Sequence, residues 1–110
     1  MEQIDMPVPL GRYFAAQNAH DIDAIVACFA ADAVVQDEGR TITGLAAVRM
    51  WKEAASAKYR ITVEPLRATR TGDQAEITAR VSGNFPGSPA NLTYVFGLSA
   101  DHKIRTLSVR

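Results

Sequence analysis

The sequence has little cysteine, no long apolar run and no surplus of charge of either sign. Cys28 is the single cysteine of the 110 residues, so an internal disulfide is excluded and a reducing cytoplasm is the expected location. No apolar stretch approaches the ~20 residues that a membrane-spanning helix needs. The first residues, MEQIDMPVPL, lack a basic start followed by an apolar run, which predicts no signal peptide.

The charge balance excludes several classes of partner. Twelve Lys and Arg residues face twelve Asp and Glu residues, and they are spread along the chain. Binding to nucleic acid or to an anionic membrane requires a clustered positive surplus, so we expect neither partner. His20 and His102 fall in predicted turns, and there is neither a Cys/His cluster nor a glycine loop for phosphates. We therefore expect no metal and no cofactor.

What the sequence does contain is a helical first half. At 110 residues the chain is predicted to form one domain, residues 1–110, because two cores could not both be filled. The spacing predicts a first helix from Pro9, a second capped by Asp21, and a third over residues 44–57. Their apolar faces are, in order, Leu10, Tyr13, Phe14 and Gln17; Ile22, Ile25, Val26 and Phe29; and Leu45, Val48 and Trp51.

The strand pattern is of a different kind. Residues 33–38 and 40–43 are predicted as a short hairpin, and from Lys58 apolar residues recur at every second position. The inward rows are predicted to be Tyr59, Ile61 and Val63; Ala75, Ile77, Ala79 and Val81; and Leu92, Tyr94, Phe96 and Leu98. Short connections between such strands favour an antiparallel sheet with one face covered by the helices. The fold class is therefore α+β.

Asp37 is the most informative polar position. It shares a strand face with Ala33 and Val35, so it points into the core if Val35 does. A carboxylate in an apolar cavity gains proton affinity and can serve as a base near neutral pH. The alternative is an aspartate in water at a strand end, and periodicity leaves both interpretations open.

Two tyrosines could accompany Asp37. Tyr13 lies on the apolar face of the first helix, and Tyr94 lies in an inward row. A buried hydroxyl needs a partner, and a phenol with a pKa of ~10 donates a hydrogen bond without ionising. The alternative for each is a core tyrosine bonded to backbone or water. Together with Asp37 they would form a polar cluster inside an apolar pocket, which is typical of a ligand site.

Residues 12–37, from Arg12-Tyr-Phe to Val-Gln-Asp37, resemble the opening of the nuclear transport factor two-like superfamily, and more narrowly its SnoaL-like and ketosteroid isomerase-like branches. Residues 44–51 resemble the start of that family's third helix. The resemblance implies a cone with three N-terminal helices packed on a curved antiparallel sheet with a mixed edge. It places Asp37 where the isomerases carry their base and Tyr13 where they carry a donor to the substrate oxygen. Tyr94 stands near their second acidic donor.

The function that this resemblance implies is proton transfer next to a carbonyl of a small apolar substrate, as in an isomerase, cyclase or dehydratase. Asp37, Tyr13 and Tyr94 would be the catalytic residues. The pocket walls are expected to be Phe14, Val35, Trp51, Tyr59, Phe85 and Phe96. Two alternatives stay open: a ligand-binding module without turnover, and a homodimer through the open sheet face, with Val95, Leu107 and Val109 as an apolar patch.

Overall fold

The computed structural model describes residues 6–110 and has the predicted α+β architecture, with three helices on a six-stranded sheet. The helices and strands follow one another along the chain as α1 (Val8–Asn18), α2 (Ile22–Ala27), β1 (Phe29–Asp37), β2 (Arg40–Thr43), α3 (Leu45–Lys58), β3 (Ile61–Thr71), β4 (Gln74–Gly83), β5 (Ala90–Leu98) and β6 (Ile104–Val109).

The helix ends follow local chemistry. Pro7 precedes α1 and Pro9 stands in its first turn, where a missing N–H costs nothing. The predicted cap of α2 is confirmed, because the Asp21 side chain accepts a 3.1 Å hydrogen bond from the Ala24 amide. Over the described part of the chain, no helix has both the length and the apolarity to cross a bilayer.

One residue assigned to the second helix belongs to the sheet. Phe29 continues the apolar spacing of α2, yet the helix ends at Ala27 and Phe29 begins β1, beside Ile104 of β6. The Ile104 amide donates a 2.8 Å hydrogen bond to the Cys28 carbonyl, so pairing with the last strand stops the helix here. The prediction for Phe29 was wrong because its spacing fits both structures.

The sheet has a parallel pair inside an otherwise antiparallel order. The strands lie in the order β2-β1-β6-β5-β4-β3, and only the β1–β6 pair, among the strands described, is parallel. The register shifts between Pro65 and Arg67 in β3 and between Gly97 and Leu98 in β5. Such irregularities bend a sheet and increase its twist. The sheet is thus mixed, and with the three helices it confirms the predicted fold class, although the parallel pair lies inside the sheet and not at its edge.

The alternation along the strands is as predicted, with the inward row of β4 fully buried. The structure differs from the apolar patch that was expected on the outer face of the sheet. Leu107 is 1% exposed on the core side, and Val109 packs against the core, so Val95 alone of the three lies on the outer face. The register shift in this part of the sheet explains the difference, since β6 alternates out of step with a simple count. The homodimer stays a prediction, and two of the three residues expected to form its apolar patch face the core instead.

A side-chain clamp ties α1 to the far edge of the sheet. Asn18, the last residue of α1, donates 2.8 Å from Nδ2 to the Val63 carbonyl and accepts 2.7 Å at Oδ1 from the Val63 amide. The amide side chain therefore pairs with β3 as a neighbouring strand would. The clamp places the C-terminal half of α1 over one end of the sheet.

Candidate functional site

A cavity of about 480 Å³ lies between α1, α3 and one end of the inner sheet face. It is reached by the last residues of β1, β4 and β6 and by the first residues of β3 and β5, which meet at this end. Its walls are largely apolar, with a group of polar side chains among them. The lining residues are Tyr13, Gln17, Asp37, Glu38, Trp51, Lys52, Ala55, Tyr59, Ile61, Val81, Phe85, Pro86, Leu92, Tyr94 and Val109.

Asp37 projects into this cavity from the last position of β1. Ala33 and Val35, on the same strand face, are fully buried, so the inward orientation follows from strand alternation. One carboxylate oxygen, Oδ2, accepts a 3.0 Å hydrogen bond from the Trp51 indole nitrogen. The indole fixes the carboxylate and leaves its second oxygen available to the cavity.

Tyr13 reaches the cavity from α1 and is 1% exposed. Its ring makes edge-to-face contacts with three phenylalanines, which hold the hydroxyl in place: Phe14, Phe29 and Phe96. Burial, followed by electrostatic interactions with Tyr94 and with the charge of Asp37, raises the pKa of Tyr13 well above that of a free phenol. The hydroxyl therefore keeps its proton and can donate it in a hydrogen bond.

Tyr94 lines the same cavity from β5. Its ring stacks on Phe96 with a centroid separation of 6.1 Å and meets Phe14 edge-on at 5.4 Å. Burial and then the charge of Asp37 raise the pKa of Tyr94 to about 12. Two neutral phenols and one carboxylate thus line one apolar cavity.

Lys52 is the residue that the sequence interpretation missed. It is 7% exposed, and its Nζ donates 2.7 Å hydrogen bonds to the Tyr13 hydroxyl oxygen and to Gln17 Oε1. Nζ also lies 4.2 Å from the Trp51 ring centroid and 4.9 Å from that of Tyr13. Burial lowers the pKa of Lys52 to about 7, although the charge of Asp37 acts in the opposite direction.

A signal for Lys52 did exist in the sequence. It lies four residues after Val48 and seven after Leu45, on the apolar stripe of α3. Gln17 occupies the corresponding place on the stripe of α1. Polar residues on an apolar helix face are candidates for a buried polar cluster, and these two contact each other.

The family model of the SnoaL-like domain matches residues 10–105. The chain belongs to the SnoaL-like family. This confirms the resemblance to the nuclear transport factor two-like superfamily. A comparison with curated proteins finds no significant match for this SnoaL-like protein.

Solved structures that are similar to this chain are consistent with its assignment to the family. The SnoaL-like protein is 42% identical to a candidate polyketide cyclase from Sinorhizobium meliloti, with a TM-score of 0.92 and 96% of each chain covered. A ketosteroid isomerase-like fold from Catenulispora acidiphila, solved with trimethylamine, is 24% identical at a TM-score of 0.85, covering 96% of this chain and 86% of that one. The epoxide hydrolase/cyclase-like enzyme SalBIII is 24% identical at 0.81, covering 92% and 85%. The latter two show the shared fold alone.

The residues that line the cavity of the SnoaL-like protein differ in part from the predicted wall residues. Trp51, Tyr59 and Phe85 line it as predicted, although Tyr59 does so from the C-terminal cap of α3 rather than from a strand. The other three, Phe14, Val35 and Phe96, are core residues that do not line the cavity. They share faces with lining residues, but the cavity occupies only one end of the sheet. Val35 and Phe96 lie one inward position deeper than Asp37 and Tyr94.

Proposed function

We propose that this SnoaL-like protein catalyses proton transfer next to the carbonyl group of a small, mostly apolar substrate held in the cavity. The observation that carries the proposal is the convergence of one carboxylate, Asp37, and two neutral phenols, Tyr13 and Tyr94, on the same apolar space. Such a reaction needs a base for a carbon-bound proton and donors for the oxygen on which negative charge develops.

Asp37 is the proposed base. Its carboxylate takes the proton from the carbon beside the carbonyl, and the electron pair of the broken C–H bond moves into an enolate. The Trp51 hydrogen bond orients the carboxylate through Oδ2 and leaves Oδ1 to receive the proton. A positioned base of this kind contributes roughly two to four orders of magnitude in rate.

Tyr13 and Tyr94 are the proposed donors to the enolate oxygen. Their raised pKa values keep both hydroxyls protonated at neutral pH. Lys52 donates to the oxygen of Tyr13, which withdraws electron density and strengthens the hydroxyl as a donor. One well-placed donor in a dry site is worth about 10²–10³ in rate.

The enolate can then react in two ways. Return of the proton to a different carbon moves a double bond, and attack of the enolate carbon on a second carbonyl closes a ring. The 42% identity to a candidate polyketide cyclase supports the second reaction. The apolar walls, which include Ile61, Val81 and Leu92, suit a hydrocarbon or aromatic skeleton.

The test is deuterium incorporation at the α-carbons of a panel of cyclic ketones, followed by NMR in heavy water. Asp37→Asn keeps an acceptor for the Trp51 indole and removes the base, so we expect a loss of at least about 100-fold. Asp73→Asn changes an exposed aspartate in the β3–β4 turn and serves as the matched control.

Two outcomes would overturn the proposal. Exchange that is equal in Asp37→Asn and in the control would remove Asp37 as the base. Thermal stabilisation of the wild type by the ketones, without exchange above the uncatalysed rate, would favour a ligand-binding module without turnover.

A further inference from the structure

Lys52 is a second reactive group in the cavity, and the proposed proton transfer does not consume it. Of the cavity residues within 6–110, it is the one that carries an amine. It lies in the third turn of α3, and its side chain extends into the polar cluster of the cavity beside the ring of Trp51. A carbonyl compound bound in this cavity would therefore lie close to a primary amine.

We propose that Lys52 captures small apolar aldehydes and ketones as a reversible imine. This activity goes beyond the proposed proton transfer, because it requires the amine and the cavity but not Asp37 as a base. The ligand class is set by the chemistry: an uncharged carbonyl carbon joined to an apolar skeleton that fills the remaining walls.

The hydrogen-bond partners of Lys52 support this activity. Both are uncharged, the Tyr13 hydroxyl and the Gln17 amide oxygen, each at 2.7 Å. In the described part of the chain no carboxylate lies within 4.0 Å of Nζ, so no direct ion pair holds the amine in its charged form. A neutral amine can keep both bonds, because its two N–H groups donate to Gln17 and to the Tyr13 oxygen and its lone pair stays free for the carbonyl carbon.

The protonation state agrees with the geometry. An ordinary lysine is neutral in roughly one molecule in 2,500 at pH 7. Burial lowers the pKa of Lys52 to about 7, so the nucleophilic form is abundant at that pH. Lowering the pKa by removal from water is a known way to activate a lysine for imine formation.

The step balances without an external oxidant or reductant. The neutral Nζ attacks the carbonyl carbon, and one of its two protons passes to the carbonyl oxygen to give a neutral carbinolamine. The oxygen then takes up a second proton and leaves as water, while the nitrogen releases its remaining proton and forms the carbon–nitrogen double bond. The Tyr13 hydroxyl is placed to donate toward the departing oxygen, because it already contacts Nζ. Hydrolysis reverses the sequence and returns the free amine.

Borohydride trapping with cyclohexanone and hexanal as probes tests the proposal at pH 7. Reduction converts the imine into a stable secondary amine, which intact mass spectrometry detects as one added alkyl group. Peptide mapping then assigns the labelled position. We expect Lys52 to be labelled at least about 10-fold faster than Lys58, which is exposed at the end of the same helix.

Two variants separate this proposal from the proton transfer. Lys52→Arg keeps a cation and should lose the label, whereas Lys58→Arg should keep it. Asp37→Asn should lose deuterium exchange but retain the label at Lys52. If Lys52→Arg does not fold, mapping of the wild type still decides. Equal labelling of Lys52, Lys58, Lys103 and the α-amino group would overturn the proposal, as would unchanged labelling in Lys52→Arg.

Discussion

The side-chain amine of Lys52 on α3 donates a 2.7 Å hydrogen bond to the hydroxyl oxygen of Tyr13 on α1. The contact joins two helices through a pair of buried titratable groups. Burial acts on both in the direction of the neutral form, lowering the pKa of Lys52 and raising that of Tyr13. The charge state of the cluster near neutral pH therefore depends chiefly on Lys52.

The first prediction is that stability rises with pH because of Lys52. The unfolded chain holds the lysine proton up to about pH 10.4, whereas the folded protein releases it near pH 7. Between these values the unfolded state binds more protons, so the free energy of unfolding increases with pH, by up to about 1.4 kcal/mol per unit. Urea unfolding between about pH 7 and pH 9 measures the slope.

Lys52→Met is the matched control for that slope. Methionine has similar length and no titratable group, so the difference between wild type and variant isolates Lys52 from every other group. The window stops below about pH 10, where the raised pKa of Tyr13 would reverse the sign, since the unfolded phenol then loses its proton first. Parallel pH profiles for the two proteins would contradict the prediction.

The second prediction compares the two phenols in the exchange reaction. Tyr13→Phe should lower kcat/KM for deuterium exchange by about 10²–10³. Tyr94→Phe should have a smaller effect, because Lys52 donates to the Tyr13 hydroxyl oxygen, whereas within residues 6–110 no side chain donates to that of Tyr94. Kinetics by NMR on the same ketone panel measure both variants. Equal rates in Tyr13→Phe and the wild type would remove Tyr13 from the reaction.

Strand alternation was sufficient to predict most of the sheet. Ala75, Ile77, Ala79 and Val81 form a buried row because every second residue of a strand points to one face. The same local count could not predict the parallel β1–β6 pair, whose strands are far apart in sequence. Mixed pairing was expected only from the family resemblance, which placed it at an edge of the sheet and not inside it.

Only part of the candidate site could be predicted from the alternation of residues along strands and helices. The inward orientation of Asp37 was one of two interpretations that strand alternation left open, and the burial of Val35 two residues earlier decides it. The burial of Lys52 was not predicted, because the favourable burial of a lysine depends on acceptors from another element. Those acceptors, on Tyr13 and Gln17, are 39 and 35 residues away in the chain. Periodicity also does not report how deep the cavity extends, so it could not show that Tyr94 lines the cavity and that Phe96 does not.

The third prediction concerns the clamp between α1 and β3. Asn18→Ala removes both hydrogen bonds to the backbone of Val63 and should lower the free energy of unfolding by about 1–2 kcal/mol. Asn91→Ala, at an exposed position of β5, should stay within about 0.5 kcal/mol of the wild type. Urea unfolding measures both. A change in Asn18→Ala no larger than in Asn91→Ala would show that the clamp adds no net stability.

The fourth prediction tests the register of the last two strands. Gly97 of β5 lies opposite Thr106 of β6, and a Cβ at position 97 would overlap the Thr106 hydroxyl. The β-branched threonine has few alternative rotamers, so Gly97→Ala should destabilise the protein by about 1–3 kcal/mol. Thr106→Ala removes the overlapping atom and should restore part of that loss in the double variant. Thermal unfolding of the four proteins gives the coupling between the positions. Additive effects would contradict the close approach of Gly97 to Thr106, because uncoupled positions do not share a steric contact.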